Sequence, residues 1–117
     1  MKPKIDREKL RRLRNIQIAF DHLLANPCVD CGETNPIVLE FDHVRGEKIT
    51  DVSSMLRKAF SPKKIVDEIA KCEVRCANCH RKVTAQRGEW YMHAMYEQYL
   101  ALKKPLESRR ILRIYGR

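Results

Sequence analysis

The segments Cys28-Val29-Asp30-Cys31 and Cys76-Ala77-Asn78-Cys79-His80 each contain a Cys-x-x-Cys pair, and the dipeptide Asp42-His43 lies between them. A two-residue spacer lets both sulfurs of a pair reach one metal ion, and two pairs supply the four thiolates of a closed tetrahedral zinc site. The 44 residues between the pairs exceed the spacing of a simple zinc ribbon. We therefore predict a structural zinc site that clamps both ends of an inserted functional element.

The aspartate and the two histidines of these segments suit a second kind of site. One carboxylate and two imidazoles, those of Asp42, His43 and His80, suit an open site for a hard cation that does chemistry, which four thiolates cannot offer. Two other interpretations remain: Asp42 and His43 as a satisfied polar pair, and His80 as a zinc ligand in place of a cysteine.

The remaining cysteine, Cys72, could be an alternative zinc ligand, but a small buried residue beside Ile69 is the better interpretation. The basic N-terminus has no apolar segment after it, so we expect no signal peptide. Paired cysteines then indicate metal binding in a reducing cytoplasm rather than extracellular disulfides. No apolar run approaches the length needed to cross a bilayer, so no membrane partner is expected.

The positive charge is concentrated at the two ends of the 117-residue chain, whose net charge is +9. Residues 1–14 carry seven lysines and arginines against two acids, and residues 103–117 carry six against one. The part between them, residues 15–102, has a net charge of −1. Two basic arms around a nearly neutral core favour a polyanion such as nucleic acid, although solubilising tails have the same composition.

The length of 117 residues predicts one small domain, and the sequence pattern contains both helices and strands, as in an α+β fold. The first predicted helix spans Asp6 to Ala25, and Asn26-Pro27 ends it. Its apolar stripe consists of Leu13, Ile16, Phe20 and Leu23 or Leu24. A strand over residues 37–41 delivers Asp42 and His43 at its end, and residues 49–52 are predicted to form the return strand.

Helices dominate the rest of the chain. We predict a short helix over residues 53–60 and a second one opened by Ser61-Pro62, with Ile65, Val66 and Ile69 buried. A longer helix runs from His80 to about Leu102, with a possible break at Gly88. We interpret its aromatic and methionine side chains as core packing against the first helix rather than as a platform for base stacking. These side chains belong to Trp90, Met92, Met95, Tyr96 and Tyr99.

The motifs together resemble a known family. The peptides Leu39–Val44 (LEFDHV) and Cys76–Lys82 (CANCHRK), with the Cys28–Cys31 pair, resemble the four-cysteine form of the HNH endonucleases, small nucleases of bacteria and phages. The match covers about residues 28–87. The three elements in this order are highly specific as a set, and none of them is specific alone.

The resemblance implies a ββα-metal fold, stapled here by the four-cysteine zinc site and flanked by N- and C-terminal helices. Asp42 and His80 would hold a catalytic Mg²⁺, Mn²⁺, Ni²⁺ or Zn²⁺ ion, and His43 would be the general base that activates water. The expected reaction is hydrolysis of double-stranded DNA, by nicking or cutting with low sequence specificity, to 5′-phosphate and 3′-hydroxyl ends. The resemblance also implies that the protein acts in the cytoplasm of a bacterial or phage-infected cell. Some members of the family have partners in phage packaging or in mobile elements.

One position departs from the family. Nine residues before the last histidine the family has an asparagine that aims the base, and this chain has Lys71 there. Lysine cannot accept hydrogen bonds. Asn78 could substitute only in a rearranged loop, so we expect either a weaker enzyme or another residue that holds His43.

The sequence therefore predicts a basic N-terminal helix over residues 1–27, an HNH core over 28–87, and a C-terminal helix with a basic tail over 88–117. Basic residues around the motifs could contact phosphates, with a solvated surface as an equal alternative. They are Arg45, Arg75, Arg81, Lys82 and Arg87. The alternative function is a catalytically inert zinc module that binds nucleic acid or a protein.

Overall fold

The structure, a computed structural model, describes residues 6–89 and 91–103. The chain divides into two compact units, residues 1–80 and residues 81–117. Trp90, most of the basic C-terminal arm and the first five residues lie outside the described residues. The three predicted segments remain a prediction.

The first unit contains most of the regular structure. Its elements are helix α1 (Arg7–Ala25), one 3₁₀ turn (Pro36–Val38), strand β1 (Leu39–His43), helix α2 (Val52–Arg57), helix α3 (Pro62–Ile69), strand β2 (Cys72–Cys76) and the first turn of helix α4 (Ala77–Thr84). The two strands form an antiparallel sheet in which Leu39 faces Cys76 and His43 faces Cys72. The predicted mixed α and β character is confirmed.

The predicted return strand was wrong. Residues 49–51 lie outside regular structure, and Val52 begins α2. The partner of β1 is Cys72–Cys76, whose residues alternate between buried and half-buried, as a strand with one covered face requires. The alternation of period two is present in the sequence, but Cys76 was interpreted only as a metal ligand and Cys72 as an isolated buried residue, so no strand was predicted here.

Strand β1 begins two residues later than predicted, because the chain before it is held in a 3₁₀ turn. The side chain of Asn35 accepts a hydrogen bond from the backbone of Ile37, and Pro36 occupies the first position of the turn. As a result Asp42 and His43 belong to the strand and do not follow it.

Helix α1 begins as predicted, because Oδ1 of Asp6 accepts a hydrogen bond of 3.1 Å from the backbone of Lys9. Its buried face, however, consists of Asn15, Ala19 and Leu23. The predicted apolar stripe lies roughly 100° further around the helix. Apart from Leu23 its members are exposed: Leu13, Ile16, Phe20 and Leu24.

Helix α3 packs its Ile65 and Ile69 into a cluster with the buried Cys72, as predicted. Ser61 caps the helix by accepting a hydrogen bond from the backbone of Lys64. The prediction for Val66 was wrong, because its side chain is exposed. A carboxylate, Glu68, takes the buried place instead and is 1% exposed.

The second unit contains the end of α4, a π-helical segment (Ala85–Glu89) and helix α5 (Tyr91–Lys103). The predicted break at Gly88 is confirmed, because this residue has a φ of 82°, which glycine tolerates best. Aromatic and methionine side chains of α5 are exposed, and Tyr96 stacks on Tyr99 at 6.3 Å. Their packing against α1 would join the two units and stays a prediction. Among the helices of residues 6–89 and 91–103, none combines the length and apolar character that a bilayer crossing requires.

Candidate functional site

The four cysteines of the two pairs converge as predicted. Cys28, Cys31, Cys76 and Cys79 each place a sulfur within 4.8 Å of the other three, and no disulfide joins them. Sulfurs about 2.3 Å from one tetrahedral ion lie about 3.8 Å apart. The Sγ atoms of Cys31 and Cys76 are 3.7 Å apart. The cluster could therefore hold a metal ion, and its geometry is consistent with zinc.

Backbone hydrogen bonds build the cluster. Gly32 has a φ of +78° and donates its N–H to the carbonyl of Cys28, so the chain turns between the first pair. The N–H of Val29 donates to the carbonyl of Val74, which holds this turn on β2. In the second pair the N–H of Cys79 donates to Sγ of Cys76. The first pair follows α1 and the second joins β2 to α4.

The thiols differ in acidity. Burial raises the pKa of Cys28, but backbone hydrogen bonds around Cys76, Cys31 and Asp30 outweigh it and lower that pKa to about 6. The neighbouring Cys76 side chain, together with burial, raises the pKa of Cys79 to about 12. Four thiolates this close repel one another. A bound cation would remove that repulsion, so metal binding and full deprotonation of the cluster are linked.

Cys72 is not part of the cluster. Its side chain is buried beside Ile69, as predicted. Burial and the charges of Glu68 and Asp42 raise the pKa of Cys72 to about 11. It is therefore a neutral packing residue, and it provides a matched control for variants of the four clustered cysteines.

A second group of polar residues covers the opposite face of the sheet. Side chains alternate along a strand, so Glu40 and Asp42 share this face with Arg75 of β2. Oδ1 of Asp42 lies 3.3 Å from Nε2 of His80, in the first turn of α4. The structure thus brings together the two residues predicted to hold a cation.

Both residues are held by their other polar atoms. Nη1 of Arg75 donates to Oδ2 of Asp42 at 2.6 Å, and Nδ1 of His80 lies 2.8 Å from Oε1 of Glu40. A neutral His80 that donates Nδ1–H to Glu40 keeps its lone pair on Nε2, the side that faces Asp42, whereas a protonated ring donates to both carboxylates. Ligand atoms about 2.1 Å from one ion, at angles between octahedral and tetrahedral, lie about 3.0–3.4 Å apart. The 3.3 Å between Oδ1 of Asp42 and Nε2 of His80 lies in this range and is also the distance of an ion pair between the two side chains, so a cation held by them stays a prediction. Among the described residues, the cysteine cluster is the one group of three or more potential ligands that converges on one point.

His43 lies apart from this pair. It alternates with Asp42 along β1 and contacts α3, where its Nε2 lies 2.8 Å from Oε2 of Glu68. Burial alone would raise the pKa of Glu68, but hydrogen bonds from Lys71, the backbone of Ile49 and His43 lower it to about 2. An ionised carboxylate only accepts hydrogen bonds, so Nε2 of neutral His43 carries the proton and Nδ1 is its basic atom.

Sequence reasoning missed the three residues that hold the predicted ones. Glu40 could have been found, because it lies two residues before Asp42 in the strand and therefore on the same face. Arg75 was considered only as a phosphate contact. Glu68 could not have been found, because nothing in the sequence of α3 indicates that this charged side chain is buried in the fold.

The residues proposed to contact DNA have different environments. Nη1 of Arg45 donates to the carbonyl of Ala70 at 2.6 Å, although its side chain is half exposed. Arg75 is only 12% exposed and pairs with three carboxylates: Asp30, Asp42 and Glu73. Arg81, Lys82 and Arg87 are exposed in the second unit. Contact of any of them with DNA stays a prediction.

Replacing Arg75 with methionine is expected to lower the free energy of unfolding by about 3 kcal/mol, because it removes the 2.6 Å ion pair between Arg75 and the buried Asp42. The control is Arg12→Met, which breaks a surface pair with Glu8 and should cost no more than about 0.5 kcal/mol. Urea unfolding of the zinc-loaded proteins measures both. Equal stability of the two variants would contradict the structural role of Arg75.

Comparison with known proteins adds no assignment to this geometry: no family model, curated protein or solved structure matches the chain.

Proposed function

We propose that the chain is a metal-dependent endonuclease of the HNH type, which hydrolyses phosphodiester bonds of double-stranded DNA with low sequence specificity. The observation that carries the proposal is the 3.3 Å approach of Asp42 Oδ1 to His80 Nε2. A carboxylate and an imidazole that face one point suit a cation with open coordination positions.

The order of elements supports the same proposal. Strands β1 and β2 pair antiparallel, and α4 follows β2 directly and carries His80. The resemblance to the HNH endonucleases implies this strand–strand–helix order, with the aspartate on the first strand and the last histidine on the helix. Residues 44–71, which include α2 and α3, form the connection between the strands.

The two kinds of donor set imply two ions with different roles. In this proposal the four cysteines hold Zn²⁺, which joins the chain after α1 to the junction of β2 and α4. Asp42 and His80 hold a catalytic Mg²⁺, Mn²⁺ or Ni²⁺ ion, with Arg75 and Glu40 fixing their orientation. Such an ion, when bound, offsets negative charge on the phosphate and on the departing 3′-oxygen.

His43 has the role of general base. Nδ1 of its ring, opposite the nitrogen that faces Glu68, accepts the proton of the attacking water. Glu68 remains a carboxylate and offsets the charge that the ring then gains. The basic arms of the chain attract the phosphate backbone without reading its sequence.

Cleavage of supercoiled plasmid tests the proposal. We expect the purified protein to nick or linearise DNA with Mg²⁺, Mn²⁺ or Ni²⁺ and to stop when EDTA removes the cation. His80→Ala should lose this activity and retain its zinc, because the four cysteines are intact. His93→Ala is the matched control, since that histidine also pairs with an acid, Glu97, but lies in α5.

No cleavage with any of the cations, by protein that is folded and zinc-loaded, would contradict the nuclease proposal. Equal cleavage by the wild type and His80→Ala would assign the activity to another site or to a contaminant. Zinc content and far-UV circular dichroism of each preparation establish that the compared proteins share one fold.

A zinc module without catalytic activity is the second candidate, and the surface of α1 favours it. Leu10, Leu13, Ile16 and Leu24 form an exposed apolar stripe that DNA cleavage does not require. A mostly apolar cleft of about 470 Å³ lies beside this helix, between it, β1 and α2. Both features are typical of a surface that binds a protein.

A further inference from the structure

We propose that Glu68 is the positioning residue for His43 and that Lys71 holds Glu68 in place. The inference deepens the proposed nuclease and rests on it for the role of His43 as a base. The arrangement of the three side chains is independent of that role.

The contacts of Glu68 form a closed set. Its Oε2 lies 2.8 Å from Nε2 of His43 and accepts the backbone N–H of Ile49 at 3.0 Å. Its Oε1 accepts a hydrogen bond of 2.8 Å from Nζ of Lys71. Because both oxygens have partners and the side chain is 1% exposed, Glu68 has one orientation available, and so has the ring that it holds.

Lys71 connects this carboxylate to the loop after β1. Its Nζ also donates to the carbonyl of Glu47 at 2.7 Å, and its own carbonyl accepts the N–H groups of Val44 and Arg45. A lysine cannot accept a hydrogen bond from His43, so the sequence left open which residue orients this histidine. In the structure it donates to the acceptor that His43 needs.

The consequence is a fixed tautomer. A carboxylate at Nε2 holds the proton there and leaves Nδ1 able to accept one, as a general base must. With Glu68→Gln the amide oxygen would face the Lys71 ammonium, and the NH₂ group would take the place of Oε2, where it faces His43 and loses the hydrogen bond from the backbone of Ile49. The ring would then carry its proton on Nδ1, and neutral His43 could no longer accept one at that atom.

Nitrogen-15 spectra of the histidine rings test this directly at neutral pH. We expect neutral His43 to be the Nε2–H tautomer in the wild type and to shift toward Nδ1–H in Glu68→Gln. The signal of His43 is assigned by its absence from His43→Ala. Asp67→Asn is the matched control, because this neighbouring carboxylate pairs with Lys63 at the surface. A wild-type ring that favours Nδ1–H would overturn the inference without the need of any variant.

Kinetics provide the second readout. Glu68→Gln should lower kcat about 10- to 100-fold, the range for residues that orient a reacting group, and leave KM and zinc content near those of the wild type. Asp67→Asn should keep the wild-type kcat. A wild-type kcat in Glu68→Gln, with a wild-type tautomer, would overturn the positioning role. If the wild type cleaves no DNA, the nuclease proposal fails but the proposed contact of Glu68 with His43 does not. The nitrogen-15 spectra then still decide whether Glu68 sets the tautomer of His43.

Discussion

Replacing Cys76 with serine is expected to remove zinc and to abolish the cooperative unfolding of the first unit. Cys76 is both a member of the four-cysteine cluster and the last residue of β2, where it faces Leu39 across the sheet. Structural zinc contributes about 10–16 kcal/mol of apparent binding free energy, which matches or exceeds the total stability of about 5–15 kcal/mol of a typical domain. A unit that depends on this ion cannot retain its fold without it.

The measurement combines metal analysis with thermal unfolding followed by far-UV circular dichroism. Cys72→Ala is the control, because it removes a buried cysteine of the same strand that is not in the cluster. It should keep one zinc per chain and lose a moderate amount of stability from the cavity alone. A zinc-loaded Cys76→Ser protein that unfolds at the wild-type temperature would exclude the cluster as the staple of the fold.

The cysteine cluster could be predicted from sequence because its signal is local. Two residues between paired cysteines bring both sulfurs to one side of a turn, whatever the rest of the chain does. The break at Gly88 and the capped start of α3 at Ser61 are equally local, and both were predicted correctly. The proximity of Asp42 and His80 was also expected, although Asp42 lies in β1 and His80 lies in the first turn of α4.

The errors concern choices that depend on tertiary packing. Residues 49–52 and Cys72–Cys76 both have the composition of a strand. Which of them pairs with β1 depends on tertiary packing, and the structure pairs Cys72–Cys76 with it. The apolar stripe of α1 exists, but the buried face is the one that carries Asn15, whose Nδ2 donates to the carbonyl of Phe60 at 2.7 Å. A periodicity finds an apolar stripe and does not determine which face the core covers.

The surroundings of the candidate catalytic residues were the least predictable. Glu68 is 25 residues from His43 in sequence, and the helix position that it occupies gives no sign that a charge is buried there. Lys71 was interpreted as a loss of the residue that aims the base. The structure shows that it holds Glu68, a contact that requires α3 and the loop after β1 to be in place.

Replacing His43 with alanine is expected to lower the rate of metal-dependent DNA cleavage about 10²- to 10⁴-fold, the contribution typical of a general base. Zinc content and DNA affinity should remain near those of the wild type, because His43 is in neither the cysteine cluster nor the basic arms. The expected loss in kcat without a loss in affinity separates a chemical role from one in binding. Plasmid cleavage at saturating cation measures the first quantity, and salt-dependent DNA binding measures the second.

His22→Ala is the matched control, because it removes a histidine of the same unit whose ring packs 5.9 Å from the ring of Phe41. In His43→Ala the removed ring leaves a space between β1 and the ionised Glu68. An imidazole added to the solution could enter this space and donate its N–H group to Glu68. Added imidazole should therefore restore part of the activity of His43→Ala and none of that of His80→Ala, whose defect is in holding the cation. Wild-type cleavage by His43→Ala would assign the base to another residue, and the 2.8 Å contact of His43 with Glu68 would then have a structural role only.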